Sequence, residues 1–249
     1  MLKSEIITQR CIYQKKSPRC DLQHAWWTAC LVSLLFVMGG FSWLYFFWQP
    51  LSALQWMLQC AVINVYVLWL LWTGLEKNRS RQDGVLHHAF GVANWLTIGR
   101  GFLIAALGGF LFQEPPGSVS ETRWLIWVPG AIYIIAALMD YLDGYLARAM
   151  RSETQLGEWL DTQIDALGLL VAPILAIAHD RLPFYYISVG LAYYIFQLGL
   201  WYRKKNNLPI IEIKPHPAKR MIAGFQMGLG AVALLPMLPV PAMAVAATI

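Results

Sequence analysis

Apolar residues run along this chain in long, nearly unbroken blocks rather than in the alternation of a half-buried strand or the single stripe of a soluble helix. The blocks are Ala25–Trp48, Leu51–Leu75, Trp95–Phe112, Trp124–Leu142, Leu167–Ala178, Leu182–Trp201 and Met221–Leu235. Most are long enough to cross ~30 Å of hydrocarbon at about 1.5 Å per residue, so the pattern predicts seven spanning helices. A last block, Val240–Ile249, has about half of the ~20 residues a crossing needs and reads as a partial or truncated eighth helix.

Polar stretches punctuate these blocks. The segment Glu76–Gly91, with its Glu-Lys-Asn-Arg-Ser-Arg-Gln-Asp-Gly run, cannot sit in lipid. It predicts four parts: a cytoplasmic N-terminal segment at 1–24, a transmembrane hairpin at 25–75, a cytoplasmic linker at 76–91 and a membrane domain at 92–249. Trp and Tyr gather near the ends of the hairpin, as in an interfacial anchor or packing element. The first apolar block follows a polar, basic stretch without a small-residue cleavage pattern, so no signal peptide is expected and Ala25–Trp48 should stay as a helix.

Composition strengthens this picture. With 58% hydrophobic and 13% charged residues and a mean hydropathy of +0.49, an ordinary soluble domain is excluded and the fold class is an all-α integral membrane protein. The formal charge of +5 reads as topology and not as nucleic-acid binding, because the basic residues gather in alternate loops. Under the positive-inside rule the N-terminus and loops 76–94, 147–157 and 202–220 face the cytoplasm, with outer turns near Gln49, Pro115 and Asp180. Cys11, Cys20, Cys30 and Cys60 have no metal-ligand spacing and are expected as buried or free thiols.

The chemistry concentrates between Met139 and Leu167, where acids stand at the cytoplasmic ends of two apolar helices. Asp140 and Asp143 are three apart and Asp161 and Asp165 four apart, so each pair shares a helix face and the two faces can converge across the reversal at 149–157. Ser152 or Thr154 is placed to cap the returning helix, with Glu153 or Glu158 near its positive end. Four carboxylates at a membrane edge are costly without cations, and an all-oxygen set without His or Cys suits Mg²⁺ or Mn²⁺ over zinc. Two such ions would clamp a pyrophosphate. Gly144, Ala147 and Gly157 let helices and a nucleotide approach closely, and Arg148 can reach a phosphate.

Asp140, Asp143, Gly144, Ala147, Arg148, Gly157, Asp161 and Asp165 together spell D-x2-D-G-x2-A-R-x8-G-x3-D-x3-D. With these residues the chain resembles the CDP-alcohol phosphotransferase family, class I, over about residues 92–236. The resemblance implies a six-helix core, its sixth helix short here, preceded by the hairpin. It implies transfer of a phosphatidyl-type group from a CDP-linked lipid such as CDP-diacylglycerol to an alcohol acceptor, with release of CMP.

By the same resemblance Asp140, Asp143 and Asp161 hold the metals, and Asp165 is a further ligand or the catalytic base. Gly144, Ala147, Arg148 and Gly157 line the nucleotide site. A second family pattern, N-x-x-T-x-x-R, is similar to Asn94, Thr97 and Arg100; it adds Asn94 and Thr97 to the nucleotide site and Arg100 to the acceptor site. As bare sequence, Asn94 and Thr97 read equally as helix caps and Arg100 as a snorkelling side chain. Lys214, Lys219 and Arg220 could bind a phosphate on the acceptor or could serve topology alone. A homodimer in a bacterial inner membrane, active site toward the cytoplasm, completes what the resemblance implies.

Members that make phosphatidylglycerophosphate look like LDPLADK around the third and fourth aspartates, whereas this chain reads LDTQIDA. That departure counts against glycerol-3-phosphate and leaves the acceptor alcohol unassigned. Two rival classes are a cation or solute transporter and a catalytically inactive scaffold. A transporter would place its ionisable groups near mid-membrane at a repeat interface, and a dead scaffold would be expected to have lost an aspartate.

Overall fold

A computed structural model describes residues 18–114, 116, 120–150, 153–209 and 217–237. Seven α-helices make up most of these residues: α1 (Pro18–Phe47), α2 (Pro50–Gly74), α3 (Val92–Gly108), α4 (Val128–Ala149), α5 (Gln155–Ala178), α6 (Ile187–Lys205) and α7 (Pro217–Leu234). Short 3₁₀ turns at Leu75–Lys77, Ser120–Trp127 and Phe184–Tyr186 join them. The only β-type pairings among the described residues are two isolated bridges, Arg79 with Leu86 and Ser80 with Thr154.

Among the described residues four helical stretches are long and apolar enough to cross a membrane: Pro18–Phe47, Pro50–Lys77, Thr122–Ala149 and Gln155–Ala178. Val92–Gly108 and Gly224–Leu234 are apolar but shorter. Large apolar side chains stand exposed along them, among them Leu34, Leu35, Phe46, Val62 and Val65, as lipid contact requires. The chain is a membrane protein built from helices. Residues 18–24, expected in the cytoplasmic segment, are already helical and continuous with the first apolar block, while residues 1–17 and the expected eighth block at 240–249 lie outside the described residues.

The core forms around α3, which packs against α1, α2, α4 and α5, while α5 also packs on α6 and α7. Its small residues allow this. A methyl group on Gly101 would meet Val67 of α2 at 2.9 Å and Ile164 of α5 at 3.1 Å, and Gly108 faces Ile63 still more tightly. Without a hydrophobic drive between helices in lipid, such close backbone approach is what generates packing attraction. The hairpin is stitched to α3 where Trp56 Nε1 donates to Ala106 O at 2.9 Å, and its own two helices are tied where Trp26 Nε1 donates to Leu68 O at 3.0 Å. Cys30 and Cys60 are free thiols within α1 and α2.

The segment 76–91 crosses the end of the bundle where α3 and α5 begin. Gln155 N donates to Arg79 O at 3.0 Å and Arg81 N to Glu153 O at 3.1 Å, which lays residues 79–81 alongside 153–155 like a two-strand fragment. Asn78, fully buried, donates its side-chain amide to Ala89 O at 3.0 Å and lies against His87 O. Ion pairs from Arg19 to Glu76 and from His88 to Asp21 tie the same segment to α1.

Candidate active site

The site lies where the N-terminal turns of α3 and α5 meet the C-terminal half of α4. Helix α5 starts there because Thr154 caps it: the Thr154 side chain accepts from Gly157 N at 3.0 Å, and its hydroxyl donates to Asn94 Oδ1 at 3.1 Å. Asn94 in turn donates to Asn78 Oδ1 at 3.0 Å. The chain Asn78–Asn94–Thr154 therefore fixes the linker, α3 and α5 to one another in a buried polar network. Gly157 has a related reason: a Cβ there would sit 2.7 Å from Asn94 Oδ1 and 3.2 Å from Thr154 Oγ1. Helix α3 itself starts at Val92 with Gly91 in the N-cap position, so Asn94 and Thr97 are not its caps.

One turn deeper stands Arg100, 3% exposed and surrounded by acids. Its Nη1 pairs with Asp140 and lies 3.9 Å from Asp143 Oδ2, while Nη2 is 2.5 Å from Asp161 Oδ1 and 3.0 Å from Asp165 Oδ1. Arg100 therefore does not snorkel; it is the counter-ion of the four aspartates. Its Nε, and Asp165 Oδ1, are buried without a well-aligned hydrogen bond. Thr97 orients the remaining acid, its hydroxyl lying 2.8 Å from Asp143 Oδ2 and 3.1 Å from Ala93 O.

The sequence spacing does bring both acidic pairs together, but not equivalently. Asp140, Asp161 and Asp165 each offer an oxygen within 4.8 Å of the others, a group that could hold a metal ion. Asp143 is set beside them against Thr97. The fit to a hard divalent cation rests on the all-oxygen donor set, on Asp165 Oδ1, which pairs with Arg100 but lacks a well-aligned hydrogen bond, and on charge. A single buried guanidinium cannot balance four carboxylates, so further positive charge is favoured there.

Two cavities flank this cluster. Toward the loops an open cleft of about 710 Å³, including its solvent mouth, is lined by Asp143 and Asp161 and by Asn94, Thr97, Gly144, Ala147, Arg148 and Gly157. All six residues expected to bind a nucleotide thus border one space. Gly144 faces the Arg148 guanidinium, and a Cβ there would lie 3.2 Å from Arg148 Nη1. On the other side a smaller pocket, about 250 Å³ with its open mouth included, is walled by Arg100, Tyr133, Asp140, Ile164, Asp165 and Gly168, among others. Lys214, and the side chains of Lys219 and Arg220, lie outside the described residues. Tyr133 and Arg81 are site-lining residues that sequence reading passes over. Tyr133 reads as one more apolar-block aromatic, and Arg81 as one more topological charge; no local pattern distinguishes either.

A family model described as CDP-alcohol phosphatidyltransferase matches residues 90–249. The chain belongs to that family. Among similar proteins, a CDP-diacylglycerol–glycerol-3-phosphate 3-phosphatidyltransferase of Cereibacter sphaeroides is 30% identical over 115 residues, 44% of this chain and 48% of that protein. A cardiolipin synthase (CMP-forming) of Oryza sativa is 35% identical over 80 residues, 32% of this chain and 22% of that protein. A putative cardiolipin synthase of Mycobacterium tuberculosis is 26% identical over 108 residues, 42% of this chain and 50% of that protein. The chain thus covers about half, or less, of the length of these relatives. No solved structure matches. The family match starts at Phe90, so the hairpin and most of the linker lie before it.

Proposed function

We propose that this protein transfers a phosphatidyl-type group from a CDP-linked lipid, CDP-diacylglycerol being the archetype, to an alcohol acceptor, with CMP as the leaving group. The observation that carries this reading is the convergence of Asp140, Asp161 and Asp165 beside a cleft bordered by Gly144, Ala147 and Arg148. The family's six-helix core preceded by a hairpin is the arrangement that goes with it, with the site at the cytoplasmic face of a bacterial inner membrane. Pairing of two copies follows from the family resemblance alone.

In this reading Asp140, Asp143, Asp161 and Asp165 hold Mg²⁺ or Mn²⁺, two ions as the acid count suggests. Bound there, the ions supply charge neutralisation and Lewis acidity for the diphosphate. The chain's own residues do the rest. Arg148 and the close backbone at Gly144 and Ala147 seat the nucleotide, and Thr97 and Arg100 hold the carboxylates in place. The acyl chains stay in the bilayer while the head group reaches the cluster. The acceptor oxygen bonds to the phosphorus bearing the lipid, the bond from that phosphorus to the CMP oxygen breaks, and Asp165 takes the acceptor's proton. The relatives' names divide between a glycerol-3-phosphate transferase and cardiolipin synthases, and the LDTQIDA sequence differs from the glycerol-3-phosphate pattern, so the acceptor is an experimental question.

The test is CMP release by purified protein from CDP-diacylglycerol with Mg²⁺ or Mn²⁺, across glycerol-3-phosphate, inositol phosphate, inositol, serine, glycerol and phosphatidylglycerol. Acceptor-dependent release that disappears with EDTA and in Asp161→Asn is expected. Silence across the panel, with no binding of CDP-lipid, would overturn the reading.

A further inference from the structure

The linker contributes a residue to the nucleotide cleft. Arg81 lines it together with Arg148, and comes from a part of the chain that precedes the family match. Arg81 and Arg148 are the two basic residues among the described residues lining that cleft, whose walls otherwise carry Asp143, Glu153, Glu158 and Asp161. A polyanion entering so acidic a cleft needs positive charge near its phosphates, and guanidinium groups supply it with directed N–H donors.

Two features show that Arg81 is held for such a role. Its backbone is pinned: Arg81 N donates to Glu153 O at 3.1 Å, Ser80 bridges Thr154, and Ser80 Oγ accepts from Gln82 N at 3.2 Å to set the turn. That attachment holds the Arg81 backbone beside Glu153, at the start of α5. Its side chain, by contrast, is lightly engaged. The pair from Arg81 Nη1 to Glu158 Oε2 is 3.4 Å long, and both side chains are more than half exposed, at 58% and 62%. Such a pair is worth little in water, so the guanidinium can leave Glu158 for a phosphate at small cost.

We propose that Arg81 is a ligand-binding residue which, with Arg148, holds the phosphate groups of the cytidine nucleotide, making the linker a working wall of the active site. The inference rests on the reading of the cleft as the nucleotide site. The exposed, weakly paired side chain predicts an effect on affinity more than on turnover.

The experiment titrates CDP in the presence of Mg²⁺ into the full-length protein in detergent, for wild type, Arg81→Ala, Arg81→Lys and the neighbouring Gln82→Ala. Thermal unfolding of each protein is measured alongside. Arg81→Ala should raise the Kd for CDP about ten-fold and Arg81→Lys should recover part of it, with Gln82→Ala unchanged and the midpoints of unfolding preserved. In turnover, Arg81→Ala should raise KM for CDP-diacylglycerol more than it lowers kcat. A Kd for Arg81→Ala within about two-fold of wild type overturns the inference. So does weaker binding that arrives with a lowered unfolding midpoint and no recovery in Arg81→Lys, since that marks a structural role. Failure of the wild type itself to bind CDP overturns the nucleotide reading of the cleft, and this inference with it.

Discussion

Asn94 donates from its side-chain amide to Asn78 Oδ1 at 3.0 Å, joining the first core helix to a linker that sequence composition alone assigns to solvent. Both residues are buried, at 3% and 0% exposure, so the bond is shielded from water and its loss leaves polar atoms without partners. Asn94→Ala also deprives the Thr154 hydroxyl of its acceptor. The expected cost is roughly 1–3 kcal/mol per unsatisfied buried group, read as a lowered unfolding midpoint. Limited trypsin digestion should cut faster at Arg79 and Arg81 in this variant, because the linker loses one of its buried ties.

Arg100 offers a direct test of cation demand at the aspartates. Replacing it by Gln removes the buried counter-ion from the acidic cluster, which should destabilise the metal-free protein by about 3–5 kcal/mol. Mn²⁺ should then restore more stability to Arg100→Gln than it adds to wild type, because metal binding to the folded state stabilises by mass action. Equal metal-induced shifts in the two proteins would count against a metal site at these carboxylates.

Within the acidic set the geometry separates the triad from Asp143. Asp140→Asn, Asp161→Asn and Asp165→Asn each remove an oxygen from the group that converges within 4.8 Å. Each should abolish most of the metal-induced rise in unfolding midpoint and lower acceptor-dependent CMP release by at least about a hundred-fold, on the scale of losing a preorganised electrostatic group. Thr97→Val leaves the triad untouched but frees Asp143, and a smaller loss of activity is expected.

Gly144 and Gly157 share the family pattern yet serve different ends. At Gly157 a new methyl group meets Asn94 Oδ1 at 2.7 Å and Thr154 Oγ1 at 3.2 Å, atoms locked in the buried network, so Gly157→Ala should cost about 1–3 kcal/mol of stability. At Gly144 the methyl meets only the far end of the Arg148 side chain, which can swing away. Gly144→Ala should therefore keep its unfolding midpoint while binding CDP more weakly. Unfolding curves and CDP titrations on the two variants distinguish these outcomes.

The sequence by itself determined the membrane character, the helical class and the acidic cluster, because each is written locally. Apolar blocks of spanning length have no other stable home than lipid, and spacings of three and four put Asp140 with Asp143, and Asp161 with Asp165, on single helix faces. The Thr154 cap is local for the same reason.

What only the tertiary structure decided is which atoms meet across elements remote in sequence. Asn94 and Thr97 match a pattern that reads equally as helix caps, and only the packing of α3 beside α5 and the linker turns Asn94 into a tie and Thr97 into a support for Asp143. Arg100 is indistinguishable in sequence from a snorkelling arginine until α4 and α5 close four carboxylates around it. Arg81 belongs to a polar run that predicts solvent, and its place on the cleft follows from the hydrogen bonds between 79–81 and 153–155. Periodicity reports the face a residue occupies on its own helix; the partner of that face depends on how the helices pack, which local spacing does not encode.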